Sequence, residues 1–468
     1  MSRPRIQKIS LDFNQIDSLI ETTDGQRALL LMAEDDKDGV VHHAIITNPI
    51  IFFLGNASTE EKAAYLAKIF AKTTNTVCLN IDNLLEIFNF PVNTEFTNNY
   101  SYENRIKKPA HEVILKLAQD NLHIGKQVIL TGNFDDQLTA NYITNNFPDF
   151  KKAVIRVIYL NNPNPIEGEP DYINLEALAA KVMSFQTSQT IKDYEEALLN
   201  FLANSTRAEE NVNSKPILAM SAGLAGVGKT TSFIFTSKSY NGSVFLQKDT
   251  IGLPFLNNVN QDMSGAYYTI HVKDQTYKAL FSLALNNLKL NRSAIVDGWF
   301  GDKLTCSWLK PHLGATAYTT TLVYFHCSEP TELARVQERG ADRDEARLRT
   351  FSDKRKSDLE KHLQDFSQIV NPASIHFVDT DDDSTLNNNV NQILAHFRSP
   401  DLVSLQINAE NKLAFAITAQ EAQANIATFK TLLARSSVTD WQSFWKVKNK
   451  IAPTTELHNA TSPKKTLS

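Results

Sequence analysis

The chain has 468 residues, of which 42% are hydrophobic and 21% charged, with a formal net charge of −5. That length predicts two to four domains, each able to bury a sizeable core. A slightly acidic chain carries no global basic field, which argues against a long nucleic-acid duplex as its partner.

In chain order, Ala28–Ala33 and Val40–Thr47 read as two strands joined by the polar turn Glu34–Gly39, a hairpin within an N-terminal extension of residues 1–48. Pro49–Leu54 is a third strand, followed by Gly55–Ala63. Thr76–Ile81, Val128–Gly132 and Val157–Leu160 are further strands, and Asn204–Lys215 is a polar linker. Pro216–Met220 then feeds Gly223–Thr231, which matches the phosphate-loop pattern G-x-x-x-x-G-K-[ST]. Gly223, Gly226 and Gly228 let the backbone curl, with Val227 between them, so that several N–H groups face one anion. Lys229 reaches the β- and γ-phosphates of ATP, Thr230 holds Mg²⁺, and Thr231 opens a helix whose N-terminus favours phosphate.

Ser243–Gln247 is a buried strand that delivers Asp249 at its C-terminal end, where ligands of open α/β sheets bind. Asp249 reads as a general base for an acceptor hydroxyl or as a helix cap. Tyr277–Leu288 has helical spacing. Ala294–Gly298 is a strand ending in Asp297, which faces Mg²⁺ or the acceptor, or is structural. Trp299 and Phe300 follow, either to stack on a base or to pack. After the strand Thr321–Phe325, the segment Pro330–Leu348 places Arg335, Arg339, Arg343 and Arg347 four residues apart. It reads as a lid that presents guanidinium groups to the transferring phosphoryl, or as a solvated face shared with Glu332, Glu338, Asp344 and Glu345. Asp379–Ser384 is an acidic turn. Residues 401–419 suggest another hairpin, and Gln420–Lys450 a helix carrying Trp441, Phe444 and Trp445; 454–468 is a flexible tail.

The first half repeats the second. Lys62 and Asp82 precede Lys229 and Asp249 by the same offset of 167 (229 minus 62, 249 minus 82), and two more strands align within two residues of that offset. The first copy reads as catalytically dead. Thr59 and Glu61 replace Gly226 and Gly228, Ala63 replaces Thr230, Thr131 replaces Asp297, and 173–177 carry no arginine series. Its role is packing, acceptor binding or partner binding.

The order of phosphate loop, "QKD" strand end, "AIVDG" strand, "LVYFHCSEP" strand and Arg-rich segment resembles the small P-loop kinases, within them the zeta-toxin and polynucleotide 5′-kinase branch. "FLQKDTI" resembles the kinase domain of fungal-type tRNA ligases. The resemblance covers 216–398 and implies phosphate and Mg²⁺ roles for Lys229 and Thr230, a general-base role for Asp249 and lid roles for Arg335, Arg339 and Arg343; Asp297 joins these catalytic candidates from its strand end alone. Two departures are Ile251 and Gly252, where these kinases carry an arginine, and the unassigned Gly298-Trp299-Phe300.

The expected architecture is therefore α/β: two tandem P-loop kinase-like α/β/α domains with mainly parallel sheets, a degenerate one over 49–208 and an intact one over 216–398. A hairpin and helix follow over 401–453. The expected activity is ATP- and Mg²⁺-dependent transfer of the γ-phosphate to a hydroxyl on a nucleotide-like small molecule or a polynucleotide 5′ end. The competing class is an ATP-binding switch that binds a partner with little transfer. Three cysteines (Cys78, Cys306, Cys327) cannot make a disulfide framework, which suggests a reducing compartment, and no Cys/His spacing suits structural zinc. Met1–Leu11 lacks the apolar core of a signal peptide, and Ile45–Leu54 is too short to span a bilayer. The expectation is a cytoplasmic protein, of the producing cell or of a cell that receives it.

Overall fold

The structure is a computed structural model. It describes residues 29–32, 43–46, 50–55, 60–74, 76–89, 102–134, 136–146, 152–161, 179–186, 215–240, 242–257, 267–300, 307–309, 317–338, 355, 357–360, 363, 366, 370–381, 386–399, 402–404 and 413–434. The linker 204–214, the arginines beyond residue 338, Cys306, both hairpin turns, Trp441, Phe444, Trp445 and the tail lie outside these residues.

Alternating apolar strands and amphipathic helices build two parallel five-stranded sheets. In the first half, β3 (Ile50–Gly55) leads to α1 (Glu60–Thr74), β4 (Val77–Asn80), α2 (Asp82–Phe88), α3 (Lys108–His123), β5 (Val128–Thr131), α4 (Asp136–Asn146), β6 (Lys152–Asn161) and β7 (Ala179–Gln186). In the second, β8 (Ile217–Ala222) leads to α5 (Lys229–Ser239), β9 (Ser243–Gln247), α6 (Lys248–Asn257), α7 (Lys273–Lys289), β10 (Ser293–Asp297), β11 (Thr319–His326), α8 (Glu329–Glu338) and β12 (His376–Asp379). The sheet orders are β4-β5-β3-β6-β7 and β9-β10-β8-β11-β12, which is the same order in both halves. In each, the first strand is central and the connections reverse beside it, the position where α/β sheets take ligands. Both α3 and α7 are entered through a π turn, at Glu103–Lys107 and Tyr268–Val272.

Strands β1 (Leu29–Met32) and β2 (His43–Ile46) pair antiparallel at the N-terminal side. After α9 (Leu386–Arg398), β13 (Val403–Ser404) and β14 (Ala416–Ile417) pair antiparallel and lead to α10 (Ala419–Ala434). No helix among the described residues is long and apolar enough to cross a membrane.

The chain packs as two compact units: Met1–Ala219 with Thr230–Gly298 and Thr316–Tyr318, and Met220–Lys229 with Trp299–Ala315 and Thr319–Ser468. These units do not coincide with the sequence halves, because α5, β9, α6, α7 and β10 pack with the first half.

In the first unit, Ile51, Leu66, Phe70, Cys78, Ile129 and Ile158 form a core between β3, β4, β5, β6 and α1. Burying each such aliphatic or aromatic side chain contributes about 1.5–3 kcal/mol. Burial pushes the Cys78 thiol up to about 11, so it acts as an unreactive apolar group. The docking of the two halves is reciprocal. Asn121 on α3 accepts from Phe245 N (2.9 Å) and donates to Phe245 O (2.8 Å) on edge strand β9. Asn287 on α7 does the same to Cys78 on edge strand β4, at 3.1 and 2.8 Å. Lys126 donates to Tyr240 O (2.8 Å), past the end of α5, and Arg292 to Ala71 O (2.7 Å) near the end of α1. Each cation thereby meets the negative end of the other half's helix.

In the second unit, Thr418 and Glu421 close a capping box at the start of α10. Glu421 N donates to Thr418 Oγ1 (3.2 Å), and Thr418 N to Glu421 Oε2 (3.1 Å). The same carboxylate accepts from Nδ1 of His376 (2.9 Å) on β12 and of His396 (3.1 Å) on α9. Burial alone opposes the Glu421 charge, but the bonds from His376, His396 and Thr418 prevail and hold its pKa far below the usual carboxylate range.

Two predictions follow from these contacts. Glu421→Gln is expected to cost about 1–3 kcal/mol, because two imidazoles and a cap lose a charged acceptor. The check is thermal unfolding together with amide exchange, with Ala419–Ala434 loosening first; an unchanged midpoint would refute it. Burial, with Arg292 adding, pushes the Lys126 ammonium down to about 7. A depressed lysine pKa means that the unfolded chain binds more protons, so stability gained from this group grows as pH rises above its folded value. The unfolding midpoint is expected to climb from about pH 7 toward about pH 10, and to climb less in Lys126→Met.

Candidate functional site

The apolar strand β8 is wholly buried and ends in the phosphate loop. Gly223, Gly226 and Gly228 take φ of 130°, 88° and 79°. At Gly223 a Cβ would collide with the Phe325 carbonyl oxygen of β11, and at Gly226 it would stand 2.9 Å from Val336 Cγ2 on α8. Any other residue at these two positions would spread the loop away from β11 and α8. The Lys229 ammonium bonds the carbonyls of Gly223 (3.0 Å) and Leu224 (2.5 Å), which holds its charge over the loop.

Thr380, at the end of β12, fastens the loop from the other side. Its hydroxyl donates to Val227 O (2.7 Å), and it accepts from Arg335 Nη1 (3.2 Å). A second Arg335 bond goes to the Thr380 carbonyl. Arg335 Nη1 lies 3.5 Å from where a Gly228 Cβ would be, so this arginine stands at the loop. Helix α8 ends at Glu338, and Arg339 and Arg343 lie outside the described residues. Glu332 departs from the solvated-face expectation: it is 0% exposed and meets Arg355 Nε at 2.7 Å, while Arg355 Nη2 reaches Cys327 O at 3.0 Å.

In the other unit, Thr230 Oγ1 donates to Asp297 Oδ2 at 2.6 Å. A hydroxyl and a carboxylate oxygen meeting this way are the hard donors that Mg²⁺ takes, so these residues fit that ion. Strands β10 and β9 run parallel with Asp297 opposite Gln247, so Asp297 and Asp249 leave the sheet at the same end. Helix α6 starts at Lys248, which puts Asp249 in its first turn rather than at the cap position before it. The Asp249 carboxylate is 40% exposed and lies 3.6 Å from Lys248 Nζ. That ammonium also sits 5.8 Å from the Tyr268 ring and 5.9 Å from the Tyr277 ring. Burial opposes its charge, but Tyr268 and Asp249 outweigh burial and raise its pKa.

Thr231 is exposed at the start of α5. Trp299 packs on Phe366 (5.9 Å between centroids) and Phe300 is fully buried, which favours packing over base stacking for Phe300. Sequence reading missed Thr380, Arg355, Lys248 with its two tyrosines, and the His376–His396–Glu421 cluster. These three groups are close enough to hold a metal ion, but the carboxylate is already occupied by the two imidazoles and the capping box.

The profile of a family described as an AAA domain matches residues 218–359, under a third of the chain. Among curated proteins none matches. Among solved structures, shikimate kinase from Bacteroides thetaiotaomicron aligns over 38% of this chain and 96% of its own, at 13% identity and a TM-score of 0.27. A structure from the PezAT chromosomal toxin-antitoxin system of Streptococcus pneumoniae aligns over 53% and 96%, at 17% identity and a TM-score of 0.25. The phosphate loop on the central strand of a parallel sheet, within the matched segment, defines a P-loop α/β fold.

Arg355→Met leaves Glu332 charged and buried without its partner, and is expected to cost about 3–5 kcal/mol in urea unfolding. Adding Glu332→Leu to it is expected to restore most of that loss; a double variant as unstable as the single one would contradict the pairing.

Proposed function

We propose that the chain is a phosphotransferase that moves the γ-phosphate of ATP to an acceptor hydroxyl, with Mg²⁺ as cofactor. The observation that carries this reading is the pair of carboxylates leaving one end of β9 and β10, only one of which is bonded to the phosphate-loop threonine. Asp297 with Thr230 would hold Mg²⁺, which when bound neutralises charge on the β- and γ-phosphate oxygens. Asp249, partly exposed in the first turn of α6, is left to accept the proton of the attacking hydroxyl. Lys229 and Arg335 stand at the loop to stabilise charge on the transferring group, with Arg339 and Arg343 assigned to the same lid.

The acceptor we favour is small and nucleotide-like, as in the zeta-toxin group that the motif order resembles; a polynucleotide 5′ end is the other candidate. Lys248 between Tyr268 and Tyr277, next to Asp249, supports an acceptor with a flat ring or an anionic group.

We read the first half as a copy that does no chemistry. Ala63, at the position of Thr230, is buried in the apolar core. Thr131 stands for Asp297, and Asp82 is committed to the Asn133 backbone N–H at 2.9 Å.

The test is transfer of labelled γ-phosphate to 5′-hydroxyl RNA and DNA, nucleosides, nucleotide-sugars and a metabolite extract. Lys229→Ala is expected to abolish labelling. Asp249→Asn is expected to lower kcat about 10²–10⁴-fold with ATP affinity kept. Unchanged behaviour of Asp249→Asn, or ATP binding without any labelled product, would instead mark a nucleotide-dependent switch.

A further inference from the structure

We infer that the first half is a built-in positioning partner: Asn121 and Asp120 hold β9 and α6 so that Asp249 leaves the sheet at a fixed place. This rests on the phosphotransferase reading for its catalytic consequence, but not for its geometry.

The contact between the halves has the form of a two-fold, isologous interface, in which residue i meets j and the equivalent of j meets the equivalent of i. Asn121 and Asn287 are equivalent, 166 residues apart (287 minus 121), and each bonds both peptide groups of one residue on the other half's edge strand. Those two strand residues, Cys78 and Phe245, are themselves 167 apart (245 minus 78). Each asparagine also donates to the carbonyl four residues earlier on its own helix, at 2.8 Å and 2.9 Å, which fixes its amide. Lys126 and Arg292, again 166 apart (292 minus 126), repeat the exchange at the helix ends. Phe88 and Phe255, 167 apart (255 minus 88), stack on each other with centroids 3.6 Å apart and planes at 7°. A residue touching its own equivalent marks the pseudo-two-fold axis.

The interface is symmetric, but its consequences are not. Asn287 caps β4, whose chain runs on to Asp82, already bonded to the Asn133 amide. Asn121 caps β9, whose chain runs on to Lys248 and to Asp249, two residues past the strand. The neighbour of Asn121 adds a second hold on the same segment: Thr250 Oγ1, one residue past Asp249, shares its proton between Asp120 Oδ2 (3.3 Å) and Gln247 Oε1 (3.2 Å). Phe255, on the axis, anchors the far end of the same helix α6. A strand on the edge of a sheet has one row of peptide groups with no neighbouring strand. Here, at Phe245, a side-chain amide from the first half takes that neighbour's place.

The experiment compares equivalent variants in the full chain. Asn121→Leu and Asn287→Leu remove equivalent sets of bonds from the two sides of one interface. Hydrogen exchange reads strand order, and γ-phosphate transfer with ATP affinity reads function. Asn121→Leu is expected to raise exchange in 243–257 and to lower kcat about tenfold with ATP affinity within about twofold, a kcat-against-binding split that loose packing alone does not produce. Asn287→Leu is expected to raise exchange in 77–80 and to leave kcat within about twofold. If Asn121→Leu does not fold, Asp120→Asn, which removes the carboxylate that Thr250 bonds and leaves the Asn121 contact in place, is expected to show the same split at about threefold. Equal loss of kcat in both asparagine variants would reduce the interface to stability and overturn the inference. So would an Asn121→Leu protein whose exchange in 243–257 is unchanged. A wild-type chain that transfers no phosphate would sink the phosphotransferase reading, while selective exchange in 243–257 would still establish that the first half orders this segment.

Discussion

An edge strand presents peptide groups that must find partners, and in this chain two of them find the amide of an asparagine. Asn121 and Asn287 are each fully buried and each satisfied at both ends of the amide. Leaving one such donor or acceptor unpaired in a protein interior costs about 1–3 kcal/mol, so the two side chains fix which helix lies along which edge. That alignment brings α3 along β9 and α7 along β4, stacks Phe88 on Phe255, and sets Lys126 and Arg292 on opposite helix ends. It also explains why the helices after the phosphate loop belong to the same compact unit as the first half.

The loop itself answers to a different constraint. Its curvature is imposed by three residues at positive φ, and two of them have no room for a side chain against β11 and α8. Helix α8 is kept against that curve by the buried Glu332–Arg355 pair, and Arg335 reaches the loop through Thr380. Such a pair gives little net stability over an apolar replacement, but it loses heavily if either partner is removed. Its main effect here is to fix the register of the helix that carries Arg335.

Much of this was legible in the chain. The strand before each loop, the acid at the end of β9 and of β10, and the 167-residue offset all follow from apolar runs with punctuating glycines and aspartates, and the two sheets have the same strand order. What escaped was polar chemistry inside apolar surroundings. Asn121 lies in a helix rich in charged and polar residues, where an asparagine reads as solvated. Glu332 sits among exposed acids and arginines, and its partner Arg355 is 23 residues away, beyond the stretch that reads as the lid. The Thr418–Glu421 spacing is a capping-box signature that sequence could have supplied. The imidazoles that share its carboxylate come from two other elements and carry no local signal.

The correspondence between the halves extends to one face and stops at another. The asparagines, the cations and the phenylalanines stand at matching positions in both halves, whereas the loop glycines, the Thr230 hydroxyl and the Asp297 carboxylate have no counterpart in the first. Ala63, at the position of Thr230, lies in the apolar core. A two-fold contact needs both members of each reciprocal pair, so the matching residues are the ones that bind α3 along β9 and α7 along β4. The loop end of each sheet is under no such constraint, and that is where the two halves differ.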